Sequence, residues 1–206
     1  MTEAAAKQRR WDPVVRITHW TIALAVLANA IITEDGSAPH IWVGYGLAAI
    51  LALRLLWGLV GPAEARFVAF WPSPRKAIAH LREIRSGTVT RHASHNPLGA
   101  LMVFTIWSCL LMIIATGIAM AGVPPLTDAA SGGEQWVAYQ DEERTDHEAE
   151  HAGEEASGEA DEILEETHEV AANLLYLLIL LHIAGVLFET RRSGRQVLVA
   201  MSPLRR

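Results

Sequence analysis

Four apolar segments restrict this chain to one class of fold. They cover residues 12–33, 40–60, 97–121 and 166–190. A helix of about 20 residues spans the hydrocarbon core of a bilayer. The mean hydropathy is +0.21 despite 17 basic and 23 acidic residues, so charged and apolar residues occupy separate blocks. The sequence therefore predicts a single all-α membrane domain over residues 1–206, folded as a four-helix up-and-down bundle.

The distribution of basic residues predicts the orientation of the chain in the membrane. They are concentrated before or at the start of the first segment, between the second and third, and after the fourth, and only Arg54 and Arg144 lie elsewhere. Because loops rich in Lys and Arg stay on the cytoplasmic side, both termini are expected in the cytoplasm. The first segment lacks a cleavage site for a signal peptide and is expected to remain in the mature protein. The expected topology has four crossings of the membrane.

Two of the connections have a character of their own. Residues 72–86 alternate basic and apolar positions at helical spacing, which predicts an amphipathic helix in the cytoplasmic headgroup region. Residues 122–165 form the second outer connection, and 15 acidic residues stand against one Arg between Glu134 and Glu169. Because like charges at that density repel, we expect a mobile or weakly helical acidic flap in the periplasm.

Four of the nine histidines fall into two layers of matched depth. His19 and His182 lie inside the first and fourth segments near the cytoplasmic side, whereas His40 and His168 open the second and fourth segments on the outer side. Each layer can place one haem iron between two imidazoles. On one helix, the spacing from His168 to His182 separates the two rings by about 21 Å and keeps them within about 40° of the same face. The pattern predicts two haem b groups with these four histidines as metal ligands; the alternative is buried histidines that only form hydrogen bonds.

Two arginines are candidate partners of the haem propionates. Arg54 lies fourteen residues after His40, at the depth of the inner layer, and Arg16 lies about one turn before His19. An Arg in the hydrocarbon region needs an anionic partner, and a propionate is one. The alternative for Arg54 is that its side chain reaches the cytoplasmic interface.

The cysteine count and one histidine motif bear on functions other than electron transfer by haem b. The single cysteine, Cys109, excludes an intrachain disulfide, and no Cys-x-x-Cys-His motif exists for covalent haem attachment. His147-Glu-Ala-Glu-His151 fits the zinc-protease pattern, but its glutamate-rich surroundings offer no apolar helix face for a dry site. A haem-free divalent-metal transporter that gathers metal at His147 and His151 is the rival function, although its spans lack carboxylates to pass a cation along.

Several motifs together resemble the bacterial cytochrome b561 family, which includes cytochrome b subunits of nickel-iron hydrogenases. They are Trp11-Asp-Pro-Val-Val-Arg-Ile-Thr-His-Trp20, His40-Ile-Trp-Val-Gly-Tyr45, Arg54-Leu-Leu-Trp-Gly-Leu-Val-Gly61, His95-Asn-Pro-Leu-Gly99 and the helix from His168 to His182. The resemblance covers the chain except the acidic connection. It implies a four-helix bundle of the bacterial inner membrane with two b haems that transfers electrons between a quinone pool and a redox partner. Its ligands fall on His19, His40, His168 and His182.

The resemblance also frames the expected partners. Membrane lipid and quinone are expected, and nucleic acid is not. The acidic connection departs from the family pattern, and an acidic surface above the outer haem would attract a basic periplasmic redox protein such as a c-type cytochrome, with a dehydrogenase as another option. The chain would act as an electron-transfer protein, either alone or as the membrane subunit of a quinone-linked oxidoreductase.

Overall fold

The structure, a computed structural model, describes residues 11–86, 97–122, 151–194 and 196–202. The described residues contain helices and no strand. The helices are α1 (Pro13–Ile31), α2 (Ala38–Val60), a short 3-10 helix (Phe67–Phe70), α3 (Pro74–Arg85), α4 (Pro97–Ala121), α5 (His151–Ser193) and α6 (Gln196–Met201). The predicted all-α class is therefore confirmed.

In the described part of the chain, four helices are long and apolar enough to cross a membrane. They are α1, α2, α4 and the part of α5 from Gly158 to Arg192. The first three begin and end within two residues of the predicted segments. Large apolar side chains on these helices, such as Leu24, Leu59 and Leu180, are well exposed on the protein surface, which suits contact with lipid. The four predicted spans are thus present, while the orientation of the termini stays a prediction.

Asp12 fixes the start of α1 and ties it to α2. Its Oδ1 accepts hydrogen bonds from the backbone N–H of Val14 at 2.9 Å and of Val15 at 3.3 Å, and Pro13 occupies the first helical position. The same oxygen accepts a hydrogen bond from Trp57 Nε1 at 3.0 Å. One carboxylate therefore satisfies free donors at a helix start and also joins the cytoplasmic ends predicted for the first two spans.

Helix α5 begins well before the apolar segment that marks the fourth span. It starts at His151, whereas hydropathy predicts the start of the span near residue 166. The stretch between them is rich in Ala and Glu, which are good helix formers, and it contains no proline. From His151 to His168 a helix rises about 25 Å. The acidic connection is thus helical from His151 onward, and residues 123–150 lie outside the described part of the chain.

The helices pack around an aliphatic core that lies between the levels of the two histidine layers. Helix α1 packs on α2, α4 packs on α5, and α2 packs on α4. The core residues come from three helices: Leu47 and Leu51 of α2, Cys109 and Leu110 of α4, and Ala171, Leu175 and Leu178 of α5. The Cys109 thiol donates a hydrogen bond to the carbonyl of Ala171 at 3.1 Å. Cys109 is therefore a packing residue between α4 and α5.

Helix α3 lies within the predicted range of 72–86 and packs on α4. Ser73 caps its first turn, and two arginines, Arg82 and Arg85, lie in its last turn, where cations interact favourably with the helix dipole. Its buried face includes Ala77 and His80. Its placement at the cytoplasmic surface of the membrane remains a prediction.

Candidate functional site

The structure brings four of the sequence-predicted residues together as two pairs of rings. His19 of α1 lies beside His182 of α5, with ring centroids 6.3 Å apart and ring planes at 49°. His40 of α2 lies beside His168 of α5, with centroids also 6.3 Å apart and planes at 58°. Helix α5 thus contributes one ring to each pair, and α1 and α2 contribute the others.

The separation of the rings has a simple chemical meaning. A metal–imidazole bond is about 2.0 Å long and the ring centroid lies roughly 1.1 Å beyond the nitrogen, so two imidazoles on opposite sides of one metal ion would have centroids about 6.2 Å apart. Both pairs show 6.3 Å. Two rings in direct hydrogen-bonded or stacked contact would not need this equal spacing at both ends of the helix. The donor set and its spacing fit one bis-imidazole iron at each end.

Thr116 of α4 fixes the outer pair through His168. Its hydroxyl oxygen lies 2.9 Å from His168 Nδ1, and the hydroxyl also reaches the carbonyls of Met112 at 2.9 Å and Ile113 at 3.1 Å. A hydroxyl has one proton, and when it donates that proton to a backbone carbonyl its oxygen accepts from the Nδ1–H. Nε2 of His168 then keeps its lone pair, which is the state that a metal ligand requires.

His40 is held by residues at the end of α1. Its Nδ1 lies 3.4 Å from the Thr33 hydroxyl and 3.8 Å from a carboxylate oxygen of Asp35. Asn29 accepts from Thr33 at 3.2 Å through its side-chain oxygen and donates to the His40 carbonyl at 3.2 Å. The turn between α1 and α2 therefore orients the ring of His40 and offers its Nδ1 an acceptor.

Three buried nitrogen atoms on α1 and α2 lack a hydrogen-bond partner among the described residues. Among the described residues, Nδ1 of His19, Nη1 of Arg54 and Nε of Arg16 are buried and form no hydrogen bond. Arg54 is only 4% exposed, and its guanidinium carbon lies 5.0 Å from the ring centroid of Trp107. The carboxylate of Asp12 interacts electrostatically with Arg54. Buried donors normally have an acceptor, so the three nitrogen atoms can still donate to a further anionic group. The carboxylates of a porphyrin fit that need.

Two further contacts shape the space around the histidines. The ring of Trp20 lies edge-on to His19 at 5.5 Å, and Trp20 Nε1 donates to the carbonyl of Met201 in α6 at 2.9 Å. A Cβ atom built on Gly117 would lie 3.3 Å from Cε1 of His168. Trp20 therefore links the C-terminal helix to the inner pair, and the glycine lets the ring of His168 lie close to α4.

Sequence reasoning missed Thr116, Thr33 and Asn29. Thr33 ends the first apolar segment and precedes His40 by seven residues, so a hydroxyl beside that ring could have been considered. No sequence signal connects Thr116 with His168, because they lie on different helices. Among the described residues, no group of three or more His, Cys, Asp or Glu side chains could hold a metal ion. His147 of the metal-transporter alternative lies outside the described residues.

A membrane bundle with paired imidazoles at two levels defines the class of transmembrane haem b electron-transfer proteins. The sequence pattern that describes the prokaryotic cytochrome b561 family matches residues 10–203, and the chain belongs to this family. The resemblance found in the sequence is thereby confirmed. Comparison with curated proteins and with solved structures gives no match. The four apolar helices and the family together make the chain a multi-pass membrane protein for haem-based electron transport.

Proposed function

We propose that this protein is a di-haem b-type cytochrome of the bacterial inner membrane that transfers electrons across the bilayer between a quinone pool and a periplasmic redox partner. The observation that carries the proposal is the equal spacing of the two histidine pairs, 6.3 Å in each, at two levels of one helix. His19 and His182 are the inner ligands, and His40 and His168 the outer ones. Bound haem supplies one-electron chemistry between ferric and ferrous iron.

The protein's own residues position the two sites and keep the space between them dry. Leu47 and Leu51 of α2 and Leu175 of α5 belong to a buried aliphatic core whose positions along both helices fall between the histidine levels. Because water is excluded there, little solvent has to reorganise when an electron is transferred between the two levels, which lowers the barrier to the transfer. The rigid helix α5, which contributes a ligand to each level, fixes the distance between them.

Arg54 and Arg16 are proposed to bind the carboxylates of the inner haem. Both have a buried nitrogen without a hydrogen-bond partner among the described residues. A guanidinium binds a carboxylate through strong charge-assisted hydrogen bonds. The buried position of Arg54 beside Trp107 favours a partner inside the bundle over the cytoplasmic interface.

The acidic part of α5 is the proposed docking surface for a basic redox partner such as a c-type cytochrome. It continues the helix that contains His168 away from the apolar span, and Glu159, Asp161, Glu162 and Glu165 are exposed on it. A charged surface that leads directly to an electron-transfer site raises the rate of productive encounter with a partner of opposite charge.

The haem content of purified variants tests the assignment of the ligands. A dithionite-minus-air difference spectrum with a pyridine haemochrome assay should give two haem b per chain. His40→Ala and His182→Ala should each remove one. His80→Ala is the matched control, because His80 is a buried histidine of α3 that pairs with Glu83 at 3.2 Å and lies in neither layer.

Two results would contradict the proposal. A purified protein without haem would favour the metal transporter, and its metal content would then be measured. Haem that survives both ligand substitutions would show that other residues bind it.

A further inference from the structure

The two histidine pairs differ in what their Nδ1 atoms contact. In the outer pair, both Nδ1 atoms lie near a threonine hydroxyl, at 2.9 Å for His168 with Thr116 and at 3.4 Å for His40 with Thr33. In the inner pair, Nδ1 of His19 is buried without a hydrogen-bond partner among the described residues. The family match does not distinguish the two levels in this way.

A hydrogen bond at Nδ1 changes the electronic character of the other nitrogen. When Nδ1–H donates to an acceptor, the ring becomes more electron-rich and Nε2 becomes a stronger donor to a metal. A stronger donor stabilises the ferric state more than the ferrous state, because the ferric iron has the higher charge. Second-shell hydrogen bonding of this kind is one of the ways in which a protein sets a haem potential.

We propose that Thr116, with Thr33 on the opposite ligand, is a positioning residue that lowers the reduction potential of the outer haem below that of the inner haem. The inference rests on the proposed function, since it requires a haem at each level. A residue on the inner side should increase the same difference between the two potentials by raising that of the inner haem. Arg54 is a buried cation on that side, and a nearby positive charge disfavours the ferric state.

Thr116 is well suited to this role because its proton is used elsewhere. The carbonyls of Met112 and Ile113 accept from its hydroxyl, which leaves the oxygen to face His168 as an acceptor beside the backbone of Ile113, which also interacts with His168. Thr18 of α1 provides a matched control. It is 2% exposed where Thr116 is 5% exposed, and its hydroxyl also bonds two carbonyls of its own helix, those of Val14 and Val15. Thr18 belongs to the inner end of the bundle, and its two hydroxyl bonds both go to backbone.

The experiment is a potentiometric titration of the purified protein, followed at the haem α-band. The outer transition is identified as the one that disappears in His40→Ala. In the unsubstituted protein it should have the lower midpoint. Thr116→Val keeps the shape of the side chain and removes the hydroxyl. It should raise the midpoint potential of the outer haem, which corresponds to a several-fold change in its reduction equilibrium, and leave the midpoint potential of the inner haem unchanged. Thr18→Val should move neither, and Thr116→Ser should restore the original outer value.

Electron paramagnetic resonance of the oxidised protein supplies a second readout. Loss of the hydrogen bond at Nδ1 should shift the low-spin signal of the outer haem alone. If the Thr116→Val protein loses its outer haem, Thr33→Val tests the same inference through His40. It should raise the midpoint potential of the outer haem by less than Thr116→Val, because the contact between Thr33 and His40 is longer.

Several outcomes would overturn the inference. One is a midpoint potential of the outer haem above that of the inner haem in the unsubstituted protein. Another is an unchanged outer midpoint in both Thr116→Val and Thr33→Val. A third is a shift of the outer midpoint in Thr18→Val as large as that in Thr116→Val. Failure of the proposed function is distinguishable from these, because it appears as missing haem or as haem that survives His40→Ala and His182→Ala, before any potential is measured.

Discussion

At the scale of single residues, Gly117 shows how closely the outer site is fitted. A Cβ atom at this position would lie 3.3 Å from Cε1 and 3.7 Å from Nδ1 of His168. Gly117→Val therefore pushes the ring away from its place beside α4. Overpacking of this kind costs about 1 to 3 kcal/mol. We expect the affinity for the outer haem to fall by roughly tenfold or more, measured as haem per chain after purification.

The control for Gly117→Val is Gly46→Val on α2. Gly46 has open space around its Cβ position and lies on an exposed part of the helix. This variant should keep both haems. Retention of the outer haem by Gly117→Val with an unchanged spectrum would show that the ring of His168 has more freedom than its contacts indicate.

Arg54 allows a prediction about charge. It is buried, its Nη1 has no hydrogen-bond partner among the described residues, and it lies against Trp107. Removing its charge in Arg54→Gln stabilises the ferric state of the inner haem, so the inner midpoint should fall. A tenfold change in the equilibrium corresponds to about 59 mV for one electron. Arg54→Lys keeps the charge and should stay closer to the original midpoint; equal shifts in both variants would contradict an electrostatic role.

The residues of the site differ in how far the sequence alone could place them. Matching depths along the apolar segments are enough to pair His19 with His182 and His40 with His168, because depth in a membrane is a one-dimensional quantity. Thr116 lies fifty-two residues from His168 in the chain. Its contact depends on the rotation of α4 against α5, which hydropathy does not determine.

At the scale of elements, hydropathy located three helices to within two residues and did not predict the helix between His151 and the fourth apolar segment. Pro13, Ser37 and Pro97 lie at the N-terminal ends of α1, α2 and α4, and they make these helices begin close to the apolar boundary. Between His151 and the fourth apolar segment there is no proline to end a helix. Helix propensity of Ala and Glu then extends α5 beyond the membrane despite the repulsion between its carboxylates.

The acidic part of α5 leads to a kinetic prediction. Glu159→Gln, Asp161→Asn and Glu162→Gln combined remove three exposed negative charges and leave the ligands untouched. With a basic c-type cytochrome as electron partner, the association rate at low ionic strength should fall roughly tenfold, because steering by charge is lost. Stopped-flow measurement of haem oxidation or reduction checks this.

Ionic strength provides the internal control for the acidic helix. At about 1 M salt the screening length is only about 3 Å, so the unsubstituted protein and the triple variant should then react at the same rate. Equal rates at low salt would contradict a docking role for the acidic helix, and unequal rates at high salt would indicate that the substitutions disturb the haem itself.

At the scale of the whole molecule, the fold is two packed helix pairs whose histidines meet across the bundle. Helix α1 packs on α2 and α4 packs on α5, while both ring pairs join a residue of the first helix pair to a residue of α5. A cofactor between the rings would therefore hold the two helix pairs together as well as transfer electrons. The number of spans could be read from the sequence, whereas this division into pairs depends on side-chain packing.

The orientation of the bundle is the remaining prediction, and the chain's single cysteine makes it testable. Cys109 is buried between α4 and α5, so it should react slowly with a thiol reagent. Asp35→Cys introduces an exposed thiol in the turn between α1 and α2, and Ala63→Cys introduces one after α2. Because the basic connections stay in the cytoplasm, a membrane-impermeant maleimide added to spheroplasts should label Asp35→Cys and spare Ala63→Cys until the membrane is broken. The opposite pattern would place His40 and His168 on the cytoplasmic side and reverse the assignment of the outer and inner haems.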